Sequence, residues 1–203
     1  MNRNYIYLTI LMLILAFGTL AVKKNKELKQ IEPEQLLAEM IQPTRYVTTD
    51  QVARMVIQGD PSLEMIDVRP TSEYEKFALP RSINIPLDSL LNSTSLQYFG
   101  IPGIKVVFIS TDDIAADEAW VLTKRLGFNG IYVMTGGLNK WMETIIDPKE
   151  PAEEAPETAF ETYAFRKGAQ LYFTGAKVDN VETPKMKVQV QRRKKTKVVA
   201  GGC

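Results

Sequence analysis

From Tyr46 to Ile146 the chain alternates compact apolar runs with amphipathic segments, joined by short connections, and this alternation constrains the fold more than any other feature. The apolar runs are "YVT", "LEMIDV", "SINIP", "KVVFIS" and "IYVMTGG". The β-branched residues of Lys105–Ser110 in particular suit a strand buried on both faces. Between the runs lie "QVARMVIQG", with Thr48, Thr49 and Asp50 as capping candidates and Gly59 past its end; "PTSEYEKF", with Pro70 at its start; "LDSLLN", one or two turns; and "AADEAWVLTKRLG". "LNKWMETI" closes the series. Strands that alternate with helices imply a parallel sheet covered on both faces. Ligands of such sheets bind outside the carboxyl ends of the strands. The carboxyl end of the most apolar strand is Ser110, which opens "STDDIA", Ser110 to Ala115.

Composition narrows the chemistry. The 203 residues carry a net charge of +1, 45% hydrophobic and 24% charged residues, values that permit a sizeable core and give no global field toward nucleic acid. There is no histidine, so the commonest general base and metal ligand is absent. The one cysteine is Cys203, which excludes an intrachain disulfide and zinc sites built on Cys/His spacing. No cofactor and no metal is expected.

"MIDVRPTSEYEKFALPRSINIP", "KVVFIS" and "RLGFNGIYVMTGGLNKWM" together resemble the rhodanese family, over about half the chain. The resemblance implies a doubly wound α/β domain on a five-stranded parallel sheet. It also implies thiosulfate or persulfide sulfur transfer in active members, with relatives that act on phosphate esters. The family's active loop is a cysteine and five residues after the fourth strand, with inward-pointing N–H groups that hold a persulfide or an anion. Ala119, Trp120 and Leu122 match the family's following helix without a gap, so Ser110 falls on the cysteine position and Ala115 on the arginine-like one. Here the chain departs from the family. A serine forms no persulfide, and as a hydrolytic nucleophile it lacks a base. Asp112 and Asp113 stand in the cradle. They are read as helix caps, with two alternatives: a built-in anion that occupies the loop's own N–H groups, or a contact for a cationic partner. The family's "GHIPGA" is replaced by "FALPRS", Phe77 to Ser82, which loses its glycines. Asp67 and Arg69 are read as structural, with Arg69 also a rim contact; Trp141 is assigned to the core. The expected binding set is Ser110, Thr111, Asp112, Asp113, Ile114, Ala115 and Arg69; no residue is assigned as catalytic, Ser110 occupying the family's cysteine position and Cys203 being a candidate thiol.

The flanks complete the organisation. Residues 5–22, "YIYLTILMLILAFGTLAV", carry no charge over a length that suits a membrane-spanning helix, with Tyr5 and Tyr7 as interfacial aromatics. A cleaved leader ending at Ala16-Phe17-Gly18 and a buried helix are the alternatives. Lys23, Lys24, Lys26 and Lys29 after the run favour an uncleaved single-pass anchor with the domain in the cytoplasm. Residues 23–45 are read as a juxtamembrane helix and linker, 46–147 as the rhodanese-like domain, and 148–203 as linker, aromatic helix and basic tail. Asp147 to Glu161 holds six acids and three prolines and reads as an exposed linker. "ETAFETYAFRKGAQLYFTG" is expected to dock as a helix on the domain or the membrane. Residues 185–197 hold seven basic residues and no acid, a pattern that suits anionic lipid. The partners expected are a membrane and an unidentified protein, with no nucleic acid. The functional reading is a membrane-anchored binding or scaffolding module, a pseudoenzyme of the family. The alternative is a sulfur-relay or redox protein in which Cys203 is the mobile thiol.

Overall fold

The computed structural model describes residues 3–21 and 30–175. Five strands form one parallel sheet: β1 (Tyr46–Val47), β2 (Leu63–Asp67), β3 (Ser82–Asn84), β4 (Lys105–Ile109) and β5 (Ile131–Met134), in the order β1-β5-β4-β2-β3. All five runs expected to be strands are strands. The helices are α1 (Arg3–Ala21), α2 (Pro33–Met40), α3 (Thr49–Gln58), α4 (Thr71–Tyr74), α5 (Ile114–Arg125), α6 (Gly137–Trp141) and α7 (Glu157–Thr174).

Alternation along β4 divides the core. Val107 and Ile109 face a layer that contains Val52, Val56, Leu138, Trp141 and Ile145, from α3, α6 and the turn after it. Val106 and Phe108 face the opposite layer, with Ala116, Ala119 and Trp120 of α5 and Leu90 and Phe99 of the β3–β4 connection. A two-residue period buried on both sides is what a central parallel strand requires. Trp141 is 1% exposed, in the core as expected.

Local chemistry sets the element ends. Thr48 Oγ1 accepts from the Gln51 N–H while the Gln51 side chain accepts from the Thr48 N–H, a capping box that starts α3. Gly59 ends α3 in the left-handed region at φ 66°. The helix expected over Pro70 to Phe77 is only the single turn Thr71–Tyr74, and "LDSLLN" forms a 3-10 turn at Leu87–Ser89. The closing helix widens into a π-helical turn over Met142–Ile146. Arg81 takes φ 68°, the conformation a glycine would occupy at the point where "FALPRS" replaces the family's glycine-containing segment.

The flanking segments pack on the domain. Leu36 and Met40 of α2 contact the α5 layer, Lys124 Nζ pairs with Glu39 at 2.7 Å, and the Ile31 N–H donates to the Arg125 carbonyl. α7 lies against α3 and the π-turn: Arg166 makes two bonds to Asp50 (2.8 and 2.7 Å), the Arg54 guanidinium sits 3.8 Å from the Phe165 ring centroid, and Phe173 meets Trp141 edge-on. The expected aromatic helix therefore forms and docks on the domain. The linker is correspondingly shorter than expected, because Pro156 admits a helix from Glu157 onward.

The N-terminal expectation needs correction. Residues 3–21 are helical and the side chains of Tyr5 to Ile14 are exposed, but no helix among the described residues is long and apolar enough to cross a membrane. Val22, expected to end the span, lies outside the described residues, as do the basic segment 185–197 and Cys203.

Candidate functional site

The strand order creates the site. From β2 the chain runs outward to β3, while from β4 it runs the other way to β5. The β2 and β4 loops therefore diverge from adjacent carboxyl ends and open a crevice between them. That crevice is a cleft of about 620 Å³, lined from β2 by Val68, Arg69 and Pro70, and from β4 by Ser110, Thr111, Asp112, Ile114 and Ala115. Of the binding residues expected from sequence, all but Asp113 line it. Six that sequence reasoning did not assign to it are Val68, Pro70, Glu73, Pro86, Leu87 and Asp88. The segment after the "INIP" strand returns past the mouth of the crevice, a tertiary placement with no local signal.

The β2 side is rigid. Asp67 is 1% exposed and holds Arg69 through Nε at 2.9 Å and Nη2 at 2.6 Å; the same Nη2 donates to the Phe77 carbonyl at 2.6 Å. The Asp67 carboxylate also accepts the Arg69 backbone N–H. Asn84 Nδ2 bridges the carbonyls of Asp67 and Arg69, at 3.0 and 2.9 Å. These bonds give "IDVR" and "INIP" a structural role and leave the Arg69 guanidinium neutralised where it reaches the cleft.

The β4 side is filled by its own groups. Ser110 is buried at 2% exposure, and its hydroxyl donates to the Asp112 carbonyl. Asp112 Oδ1 accepts from the Ile114 N–H at 2.9 Å, at the start of α5. Asp113 makes no cap of its own helix; its Oδ1 accepts from the Gly136 N–H, 23 positions along the chain. The Leu138 and Asn139 N–H groups at the start of α6 donate to the carbonyls of Ser110 and Thr111, at 2.9 and 3.0 Å. Thr111 Oγ1 reaches Glu73 at 3.3 Å. Asp112 thus satisfies an N–H at the start of α5, whereas Asp113 takes its N–H from the β5–α6 turn and none from its own loop. Gly137 makes this packing possible. At φ 55°, an added Cβ would lie 2.5 Å from the Ser110 carbonyl oxygen and 2.7 Å from that of Asp112.

Three carboxylates, Glu73, Asp88 and Asp112, line the cleft, and all three residues are exposed. Its apolar lining comes from Val68, Pro70, Pro86, Leu87, Ile114 and Ala115. Among the described residues no group of three or more Asp, Glu, His or Cys side chains is arranged to hold a metal ion.

Residues 48–144 match the rhodanese-like domain family. The adenylyltransferase and sulfurtransferase MOCS3 of Drosophila yakuba is 31% identical over 102 residues, which are 47% of this chain and 22% of that protein. The thiosulfate:glutathione sulfurtransferase of Saccharomyces cerevisiae is 26% identical over 103 residues, covering 46% of this chain and 74% of that one. The chain spans about a quarter of the length of the first curated relatives it matches. The crystal structure of the single-domain sulfurtransferase RDL2 of Saccharomyces cerevisiae has a TM-score of 0.41 at 22% identity, over 48% of this chain and 88% of that one. The sequence match, the five-stranded parallel sheet and the crevice between β2 and β4 converge: residues 48–144 are a rhodanese-like domain.

Proposed function

We propose that the chain is a binding module of the rhodanese family, attached to a membrane near its N-terminus and without sulfur transfer at its own loop. The observation that carries this reading is the state of the β4 loop. Ser110 stands where the family resemblance puts the cysteine, and its hydroxyl is engaged by the Asp112 carbonyl. The Ile114 and Gly136 N–H groups, which point at the loop, are occupied by Asp112 and Asp113. An incoming thiosulfate or persulfide anion would meet the Asp112 carboxylate in the same cleft. Two like charges at about 4 Å repel by roughly 4 kcal/mol at an intermediate dielectric. The direct test is thiosulfate:cyanide transfer by the full chain, with zero turnover expected.

Membrane attachment is supported by α1, whose residues Tyr5 to Ile14 are apolar apart from Thr9 and exposed. A helix apolar on every side finds its partner in a core or a bilayer. The lysines that follow residue 22 favour a cytoplasmic position for the domain. Flotation with neutral phosphatidylcholine liposomes tests this; a chain lacking residues 1–22 should remain unbound.

A second reading is favoured by the sulfurtransferase names of the relatives. In it the Cys203 thiolate attacks the outer sulfur of thiosulfate, the sulfur–sulfur bond breaks, sulfite leaves, and Cys203 carries the persulfide. Mass spectrometry after thiosulfate treatment decides it: one added sulfur on Cys203 supports the relay, and an unmodified thiol rejects it.

A further inference from the structure

The cleft has an apolar floor and an acidic rim, a combination that specifies its occupant. Each acid uses one oxygen on a neighbour: Glu73 Oε2 on Thr111, Asp88 Oδ1 on Ser89, Asp112 Oδ1 on the Ile114 N–H. The second oxygen of each makes no bond among the described residues. The single cation of the lining, Arg69, is already bound by Asp67. Ile114, at the start of α5, is 68% exposed. Such a surface matches an extended segment that alternates cations with apolar side chains, since neighbours along an extended chain point to opposite sides.

The chain contains such a segment outside the described residues. "KMKVQV", Lys185 to Val190, alternates Lys185 and Lys187 with Met186, Val188 and Val190, and after Gln191 comes "RRKKTK", Arg192 to Lys197. We propose that the cleft between β2 and β4 is the docking site of the chain's own residues 185–197. The cleft offers Val68, Pro70 and Leu87 to the segment's apolar residues and Glu73, Asp88 and Asp112 to its cations. Reach is sufficient: Lys185 is ten residues past Gly175, so an extended connection covers up to about 34 Å. A domain of this size has a radius of gyration of about 13 Å. This inference rests on the binding-module reading and names the partner of the same site. It makes the cleft self-occupied until a stronger anion, such as a lipid surface, draws the basic segment away.

Cys203 is the only cysteine in the chain, so a nitroxide attached there reports where the tail lies. In the full chain in neutral detergent, we expect paramagnetic broadening of the amides of Leu87, Asp88 and Thr111 to Ala115. Amides at the opposite end of the strands, Ile101, Gly103, Phe128 and Asn129, should be spared. Raising salt from about 0.1 to about 1 M shortens the screening length from about 10 to about 3 Å and should abolish the effect. The double variant Glu73→Gln, Asp88→Asn should abolish it as well. Equal broadening at both ends, or broadening that survives the double variant, overturns the proposal. Broadening that vanishes on dilution overturns it in favour of a second copy's tail. Vesicles containing phosphatidylserine should release the cleft amides; a tail bound to vesicles with no prior cleft signal overturns it in favour of lipid alone. The sulfur-transfer assay keeps the two failures apart. Absent docking with absent transfer removes only the tail assignment, whereas transfer that depends on Ser110 removes the binding-module reading itself.

Discussion

Replacing Gly137 by alanine tests the packing that fills the β4 loop. Gly137 has φ 55°, and an alanine Cβ would sit 2.5 Å from the Ser110 oxygen, 2.7 Å from the Asp112 oxygen and 2.8 Å from the Asp112 nitrogen. All three are backbone atoms, so no side chain can rotate away. The left-handed conformation alone costs a non-glycine residue about 1 kcal/mol. Relief of the clash separates α6 from the loop and breaks the bonds from Leu138 N–H to Ser110 and from Asn139 N–H to Thr111, each worth about 1 kcal/mol net. The sum is about 3 kcal/mol, or a fall in Tm of roughly 12 °C at about 4 °C per kcal/mol. Gly59→Ala is the control: its φ is 66°, yet nothing lies within 4 Å of the added Cβ. It should lose only about 1 kcal/mol, roughly 4 °C. Thermal melts followed by circular dichroism on the full chain measure both. Equal shifts for the two variants would refute the claim that the loop and α6 are locked against each other.

Three further outcomes follow from the same geometry. Asp67→Asn leaves the buried Arg69 guanidinium without its charge partner and should cost about 3–5 kcal/mol in urea unfolding; a loss below 1 kcal/mol would show that the pair is not the structural anchor described. Arg81→Gly should stabilise by roughly 0.5 kcal/mol, as removal of about 1–2 kcal/mol of left-handed strain outweighs the added freedom of the unfolded chain; destabilisation would contradict it. Burial raises the Tyr46 phenol above its ordinary pKa, opposed by the bond from Arg45 and reinforced by Asp117. The contribution of a group raised in this way is complete below the unfolded value of about 10 and fades as pH climbs through the folded one. The stability difference between the wild type and Tyr46→Phe should therefore shrink above about pH 10, and a constant difference would reject the assignment.

The strand framework was legible in the sequence because each buried parallel strand is a compact β-branched run between turn residues. β4 announces itself in Val106 to Ile109, and its end marks the site with no family knowledge. What escaped depends on contacts between distant segments. Asp113 reads as a cap because it precedes a helix, but its partner, Gly136, is brought alongside only by the pairing of β4 with β5. Glu73 and Asp88 carry no local sign that they face one cleft; the former lies on a helix of one turn and the latter in a 3-10 turn. Arg81 sits in a backbone conformation that its side chain disfavours, so propensity could not reveal it. α7 was legible as a helix from Glu157, but the acids and prolines before it extended the apparent linker to Glu161, over its first turn.

The central claim is that the β4 loop, filled by its own serine and acids, performs no sulfur transfer. Thiosulfate:cyanide transfer by the full chain, measured beside Ser110→Ala and Cys203→Ser variants, tests it most directly. The account predicts no turnover by the wild type and no change in either variant. Turnover that disappears in Ser110→Ala would contradict it, and turnover that disappears in Cys203→Ser would transfer the chemistry to the tail.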